Sequence, residues 1–218
     1  MSGIATVWSY RDAFLAGLGN TTALVLLALS LSLPLAGLTA LVLVEAAAPV
    51  RRLGREAVDL FRCVPFLLLA YVIYYGLPEL GLRLGAWWAG LLALVLYNGA
   101  YFAEILRTAA LAVPRDALEA GRAFGFSRAQ LYGRIVLPLI VLDAGPVIGN
   151  QVVVMIKDTA LLMIITVQEL SFVANFVNAS AFAPLAPFAT ALVLYWLLCL
   201  VVEAGIRGLA RERRRRYG

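Results

Sequence analysis

Five runs of apolar residues divide the chain, at about 21–44, 62–78, 86–106, 145–167 and 185–206. Each approaches the ~20 residues a helix needs to cross a hydrocarbon core of ~30 Å. They carry few charges and lack the strict alternation of strands, so the pattern predicts an all-α integral membrane protein with five transmembrane helices in one domain, 1–218. The run from Thr21 to Val44 has neither a basic leader nor a small-x-small cleavage pattern, which argues against a removed signal peptide. Pro34 in its middle predicts a kink. Residues 1–20 mix Trp8, Tyr10 and Phe14 with Arg11 and Asp12, as a short helix at headgroup level would. Residues 45–62 are polar, a turn is expected near 78–85, and residues 169–184, with Pro184 and no basic residue, are expected to form a loop.

Between the third and fourth runs lies a charged stretch, Pro114 to Pro138, with two helix-start signals. Asp116 is followed by Glu119, and Ser127 by Gln130. In each pair the first side chain can accept from an orphan backbone N–H while the third residue reaches back to another. Gly125 stands between them, where a helix end favours a residue free to adopt positive φ. The prediction is helix, tight turn, helix, outside the membrane core. Leu118, Phe124, Leu131, Ile135 and Leu139 would give the hairpin apolar stripes, suited to docking another protein or simply to seating a loop that joins two spans.

Composition narrows the chemistry. The chain has 218 residues, 63% of them hydrophobic, and contains no His. The commonest metal ligand and general base is therefore missing, which removes the usual zinc-protease, haem and phospho-relay chemistries. No G-x4-G-K-[ST] motif occurs, so no P-loop binds ATP in this chain. Cys63 and Cys199 sit in or beside apolar runs and are expected to act as small hydrophobes. No metal, cofactor or nucleic-acid site is expected.

Arginine placement predicts orientation. Fifteen arginines fall in 45–62, in 107–134 and after the fifth run, whereas Arg11 and Arg83 are the two on the other side. Five spans with an external N-terminus would put the fifteen, the hairpin and the C-terminus in the cytosol. The Arg213–Arg216 run then fits simple topology and attraction to anionic lipid.

The hairpin also carries a family resemblance. Glu119-Ala120-Gly121, Gly125, then Ile135, Leu137 and Pro138 read as E-A-G-x3-G-x9-I-x-L-P, similar to the E-A-A loop of membrane subunits of bacterial ABC importers. Gly121 stands where that family usually has Ala, a change that weakens a helix interior by roughly 1 kcal/mol. Further segments resemble the polar amino-acid subgroup. These are Gly17 with Asn20-Thr21-Thr22; Phe61-Arg62-Cys63-Val64-Pro65 followed by Tyr74-Tyr75-Gly76-Leu77-Pro78; Gly99 to Arg107; and Asn150, Lys157-Asp158-Thr159-Ala160-Leu161 and Glu169. Cys63, Val64 and Ala160 depart from the Gly, Thr and Ser usual there.

The resemblance implies a type I importer permease of the bacterial inner membrane. Its hairpin residues Glu119, Ala120, Gly121, Gly125, Ile135, Leu137 and Pro138 would dock on an ATPase. It implies two ATP-binding subunits that hold ATP and Mg, a second permease chain, and a solute-binding protein outside. The solute would be a polar amino acid or similar small zwitterion, with Arg62 on its path. The residues themselves offer more candidates. Lys157 and Asp158 fall midway along the fourth run, where a charge costs roughly 2.5–3.5 kcal/mol on insertion scales and should face protein or water. Asn98, Tyr101 and Glu104, at spacing three, share a helix face. Glu104 and Asp158 could face one ammonium group across a cavity, with Lys157 opposing a carboxylate; the same residues would equally serve as structural ion pairs. A small homo-oligomeric ion-coupled transporter or channel is the alternative function.

Overall fold

The computed structural model describes residues 3–182 and 185–217, the side chains of Ile4 and of residues 209–217 excepted. Eleven helices follow in order among these residues. They are α1 Gly3–Ser9, α2 Arg11–Glu45, α3 Ala48–Cys63, α4 Phe66–Tyr71, α5 Leu77–Glu79, α6 Ala86–Leu111, α7 Arg115–Ala123, α8 Arg128–Leu131, α9 Leu137–Thr159, α10 Leu170–Ala181 and α11 Leu185–Tyr217. A π turn at Val72–Gly76 joins α4 to α5, another at Tyr132–Val136 joins α8 to α9, and a 3-10 segment, Ala160–Ile165, extends α9. Four helical stretches are long and apolar enough to cross a membrane: Arg11–Glu45, Ala86–Leu111, Arg128–Ile165 and Leu185–Gly208. The pair Ala48–Cys63 and Phe66–Glu79, bent by 101°, counts as a fifth if taken as one broken span.

The core forms where α2 meets α6. Leu24, Ala28 and Ala36 face Ala89, Ala93, Leu94 and Phe102, all almost completely buried. In lipid the hydrophobic effect does not drive helices together, so small residues that let backbones approach closely are the natural seam. α9 packs on α6 and α11, and its Met155 and Ile156 complete the cluster. A second cluster joins Phe14 of α2 to Leu170, Val173, Ala174 and Val177 of α10.

Several boundaries differ from the sequence expectations. A short helix, α1, does precede the first span, but the helix of that span starts at Arg11 rather than Thr21 and runs through Pro34 to Glu45 without a break. The second run does not start a span at Arg62. Arg62 belongs to the polar α3, and the chain turns at Val64-Pro65, because proline forces its predecessor out of the α region. Residues 169–184 are not a loop. Leu170, Val173, Ala174 and Val177 recur at helical spacing, and Glu169 caps their N-terminus by accepting from Ser171 N at 2.9 Å and Phe172 N at 2.7 Å. Pro184 lies outside the described residues, as do the side chains of Arg213–Arg216. At 12 residues, α10 is about 18 Å long by its 1.5 Å rise, too short to cross.

Lys157 and Asp158 are not midway along their helix either. They fall in the last turn of α9, because that helix is continuous with the hairpin and starts well before residue 145.

Candidate functional site

The hairpin is built from two different stops and starts. α7 begins at Arg115 after Pro114, whose backbone is extended (φ −59°, ψ 132°). Asp116 is therefore not the cap expected of it. It sits within the first turn, where its charge still complements the helix dipole. At the other end of α7, Gly125 N donates to Arg122 O at 2.9 Å and Phe126 N to Gly121 O at 3.0 Å, with Gly125 at φ +73°. These two bonds form a Schellman stop, which satisfies carbonyls the helix would leave open. Ser127 then opens α8 with a full capping box: Gln130 N donates to Ser127 Oγ at 3.3 Å, and Ser127 N donates to Gln130 Oε1 at 2.9 Å. Two residues thus separate stop from start, so the hairpin has a fixed shape.

That geometry divides the seven motif residues. Gly121 is buried, and a Cβ placed on it would stand 2.7 Å from both Ile135 Cδ1 and Leu131 Cδ1. Glycine here lets α7 press onto the next helix, so Gly121 and half-buried Ile135 hold the hairpin closed. Glu119, Ala120, Leu137 and Pro138 are exposed, as is Gly125 at the turn. Phe124 is 83% exposed at the tip, and nothing in the motif marked it. Its signal was an aromatic residue beside a turn glycine in a charged segment. The Arg134 guanidinium lies over the Phe126 ring at 5.6 Å, and Tyr132 donates to Glu45, tying the hairpin to the end of α2. A cleft of about 480 Å³ separates the hairpin from the ends of α2 and α6, with Glu45, Arg115, Arg122 and Arg128 among its walls.

The intramembrane candidates fall into three places. Arg62, Tyr101 and Glu104 come together around a cleft of about 350 Å³ that Asp143 and Thr108 also line. Tyr101 OH donates to Arg62 O at 3.2 Å, and the Arg62 guanidinium lies 5.5 Å from the Tyr101 ring centre. Arg62 also pairs with Asp59 at 3.3 Å, while its Nε is buried without a hydrogen-bond partner among the described residues. Glu104 accepts from Arg107 at both oxygens, at 2.6 and 2.8 Å. Asn98 lies elsewhere, fully buried, donating to Leu94 O and accepting from Gln151 Nε2 at 2.9 Å. Lys157 is exposed, and Asp158 is half-buried with Oδ2 lacking a partner among the described residues.

The Asn98–Gln151 bond fixes the register of α6 against α9. From it, Glu104 lies six residues toward the hairpin and Asp158 seven residues the opposite way. At 1.5 Å per residue they are about 20 Å apart along the bundle. They cannot share one ammonium group, and Glu104 already has a cation in Arg107. Glu169, singled out in the sequence by the family resemblance alone, is the most buried acid described. Besides its two backbone bonds, it accepts from Tyr195 OH, which lies 3.2 Å from Ser171 Oγ.

Residues 32–215 match the family described as binding-protein-dependent transport system inner membrane component. A probable glutamine ABC transporter permease protein of Bacillus subtilis is 30% identical over 169 residues, 78% of each chain. An octopine transport system permease protein of Rhizobium meliloti is 34% identical over 198 residues, 87% of this chain and 81% of its own. Among solved structures, an amino acid ABC transporter determined with histidines superposes with a TM-score of 0.89 at 25% identity, covering 97% of this chain and 99% of the other. An inward-facing methionine ABC transporter gives 0.77 at 19% identity, a likeness of fold, over 94% of this chain and 98% of that one.

Proposed function

The chain belongs to the inner-membrane component family of binding-protein-dependent transport systems, and we propose that it carries a polar amino acid or related small zwitterion inward for a system powered by separate ATPase subunits. The observation that supports this best is the hairpin. A stop and a start two residues apart hold an apolar tip clear of the bundle, while Tyr132 ties its base to α2. Such a lever transmits a push without bending. Closure of two ATP-bound partners would tip the spans between outward and inward access. ATP and Mg would reside in those partners. A second permease chain, identical or paralogous, would complete the pathway, since one thin bundle encloses no channel, and a solute-binding protein would deliver from outside. The arginine distribution favours an external N-terminus and a cytosolic C-terminus.

On the pathway, we assign the carboxylate of the solute to Arg62, whose side chain lines the cleft with Tyr101 and Glu104. Tyr101 and Glu104 shape the wall opposite, Asn98 braces α6 against α9, and Lys157 and Asp158 act further out, toward the end remote from the hairpin. A homo-oligomeric ion-coupled transporter or channel is not favoured, since neither the family nor the hairpin serves it.

The test is reconstitution of the chain with its ATPase, second permease and binding protein in vesicles. ATP-dependent uptake of glutamine, basic amino acids or opines is expected. Arg62→Gln is expected to weaken solute affinity about 10- to 150-fold, the worth of one charge-assisted hydrogen bond. Uptake driven by an ion gradient without ATP, or of uncharged sugars alone, would contradict the reading.

A further inference from the structure

The polar helix α3 plays no part in the hairpin, and only Arg62 at its end was assigned to the solute path. The 101° bend between Ala48–Cys63 and Phe66–Glu79 sets it nearly perpendicular to the stretch that enters the membrane. A helix so turned lies along the membrane surface, and its faces suit that place. Val58 is buried against α2 and α6. Val50, Leu53 and Leu60, exposed at 53%, 73% and 62%, recur at helical spacing as an apolar stripe. Arg51, Arg52 and Arg55 lie on another side.

Those three arginines and Arg107 line a cleft of about 480 Å³ between α2, α3 and α6. Its one acid is Glu56. Arg107 is already held by Glu104, whereas the side chains of Arg51, Arg52 and Arg55 make no salt bridge or hydrogen bond among the described residues. Three guanidinium groups within two helical turns repel one another, and an anion seated among them relieves that repulsion. The rest of the cleft wall is apolar: Leu43, Val44 and Leu111. On the other flank of α3, one or two turns further from the hairpin end, Leu38, Val42, Phe61 and Leu96 line an apolar groove of about 410 Å³. The helix therefore separates a cationic cleft from an apolar groove, as headgroups are separated from acyl chains.

We propose that this cleft binds the phosphodiester headgroup of an anionic phospholipid, with Arg51, Arg52 and Arg55 as its ligands and the exposed leucines of α3 under the acyl chains. A free phosphate offers the same chemistry to the arginines but leaves Leu53 and Leu60 uncovered. A lipid satisfies both. Basic clefts between membrane helices at headgroup level commonly hold such lipids. The site fixes the position of the chain segment that leads to Arg62, so lipid occupancy would set the resting angle of the broken span.

The full-length chain, purified in zwitterionic detergent, is titrated with phosphatidylglycerol or phosphatidylcholine, and bound lipid is counted by native mass spectrometry. Phosphatidylglycerol is expected to bind roughly tenfold or more tightly, and Arg51→Gln with Arg52→Gln and Arg55→Gln to abolish that preference. The corresponding Lys variants should retain part of it, and Arg213→Gln with Arg214→Gln and Arg215→Gln should retain nearly all. The three α3 arginines are exposed, so the lipid-free melting point of the Gln variant should match that of the parent; should it fall, Arg52→Gln alone is compared. Equal binding of the two lipids, or equal loss from the tail variant, would overturn the proposal. Displacement of the lipid by millimolar inorganic phosphate would reduce the cleft to a small-anion site, and displacement by the ATPase subunit would make it a protein contact. Either result would also overturn it.

Discussion

Phe124→Ala is expected to separate the permease from its ATPase while leaving the permease folded. The ring is 83% exposed at the hairpin tip, so its loss should change stability by no more than about 0.5 kcal/mol. Large aromatic anchors at the centre of an interface cost roughly 2–4 kcal/mol on truncation, which is about 30- to 1000-fold in affinity. The two Schellman bonds and the capping box hold the tip in place before docking, so little ordering remains to oppose association. Titration of purified ATPase onto the reconstituted mutant should show this weakening, and solute-stimulated ATP hydrolysis should fall in parallel. Affinity within about twofold of the parent would remove Phe124 from the docking surface.

Glu169→Ala should act on stability instead. The carboxylate is fully buried and accepts from Ser171 N, Phe172 N and Tyr195 OH. Alanine would strand all three donors and remove the cap of α10. Each buried donor left without an acceptor costs roughly 1–3 kcal/mol, so a loss of at least about 3 kcal/mol is expected. For a chain of this size that lowers the melting point by on the order of 10 °C. The effect should concentrate where α10 meets α2, because Leu170 N also donates to Thr21 Oγ1 at 3.2 Å and Asn20 Nδ2 to Gln168 O at 2.8 Å. Glu169→Gln keeps the shape and one acceptor, so it should fall between. Equal melting points for parent and alanine variant in detergent would mean that the network adds nothing to the fold.

What could be read from the sequence was local. The long apolar runs foretold the spans, because a membrane helix satisfies its own backbone and needs only length and hydropathy. The Ser127–Gln130 box and the Gly125 turn were readable because each is completed within a few residues. Asp116 was misplaced by one such local signal, since Pro114 fixed the helix start instead. Residues 169–184 lack the sequence marks of a helix because α10 has no charged face to set off its stripe and its cap is a Glu rather than the usual Ser, Thr, Asp or Asn. The idea of a site shared by Glu104 and Asp158 failed for a different reason. Each carboxylate was seen, but the register of α6 on α9 rests on Asn98 and Gln151, 53 residues apart. The arginine cleft of α3 needed the 101° bend, and a proline announces a bend without giving its angle.

The central claim is that the 114–138 hairpin faces the cytosol and seats the ATPase. A single cysteine at the exposed position 123, which leaves Phe124 in place, with Cys63 and Cys199 replaced by Ser, tests it in right-side-out and inverted vesicles with a membrane-impermeant maleimide. Labelling is predicted only in inverted vesicles, and there only when the ATPase subunit has been stripped away. Labelling from the outside, or labelling unchanged by bound ATPase, would contradict it.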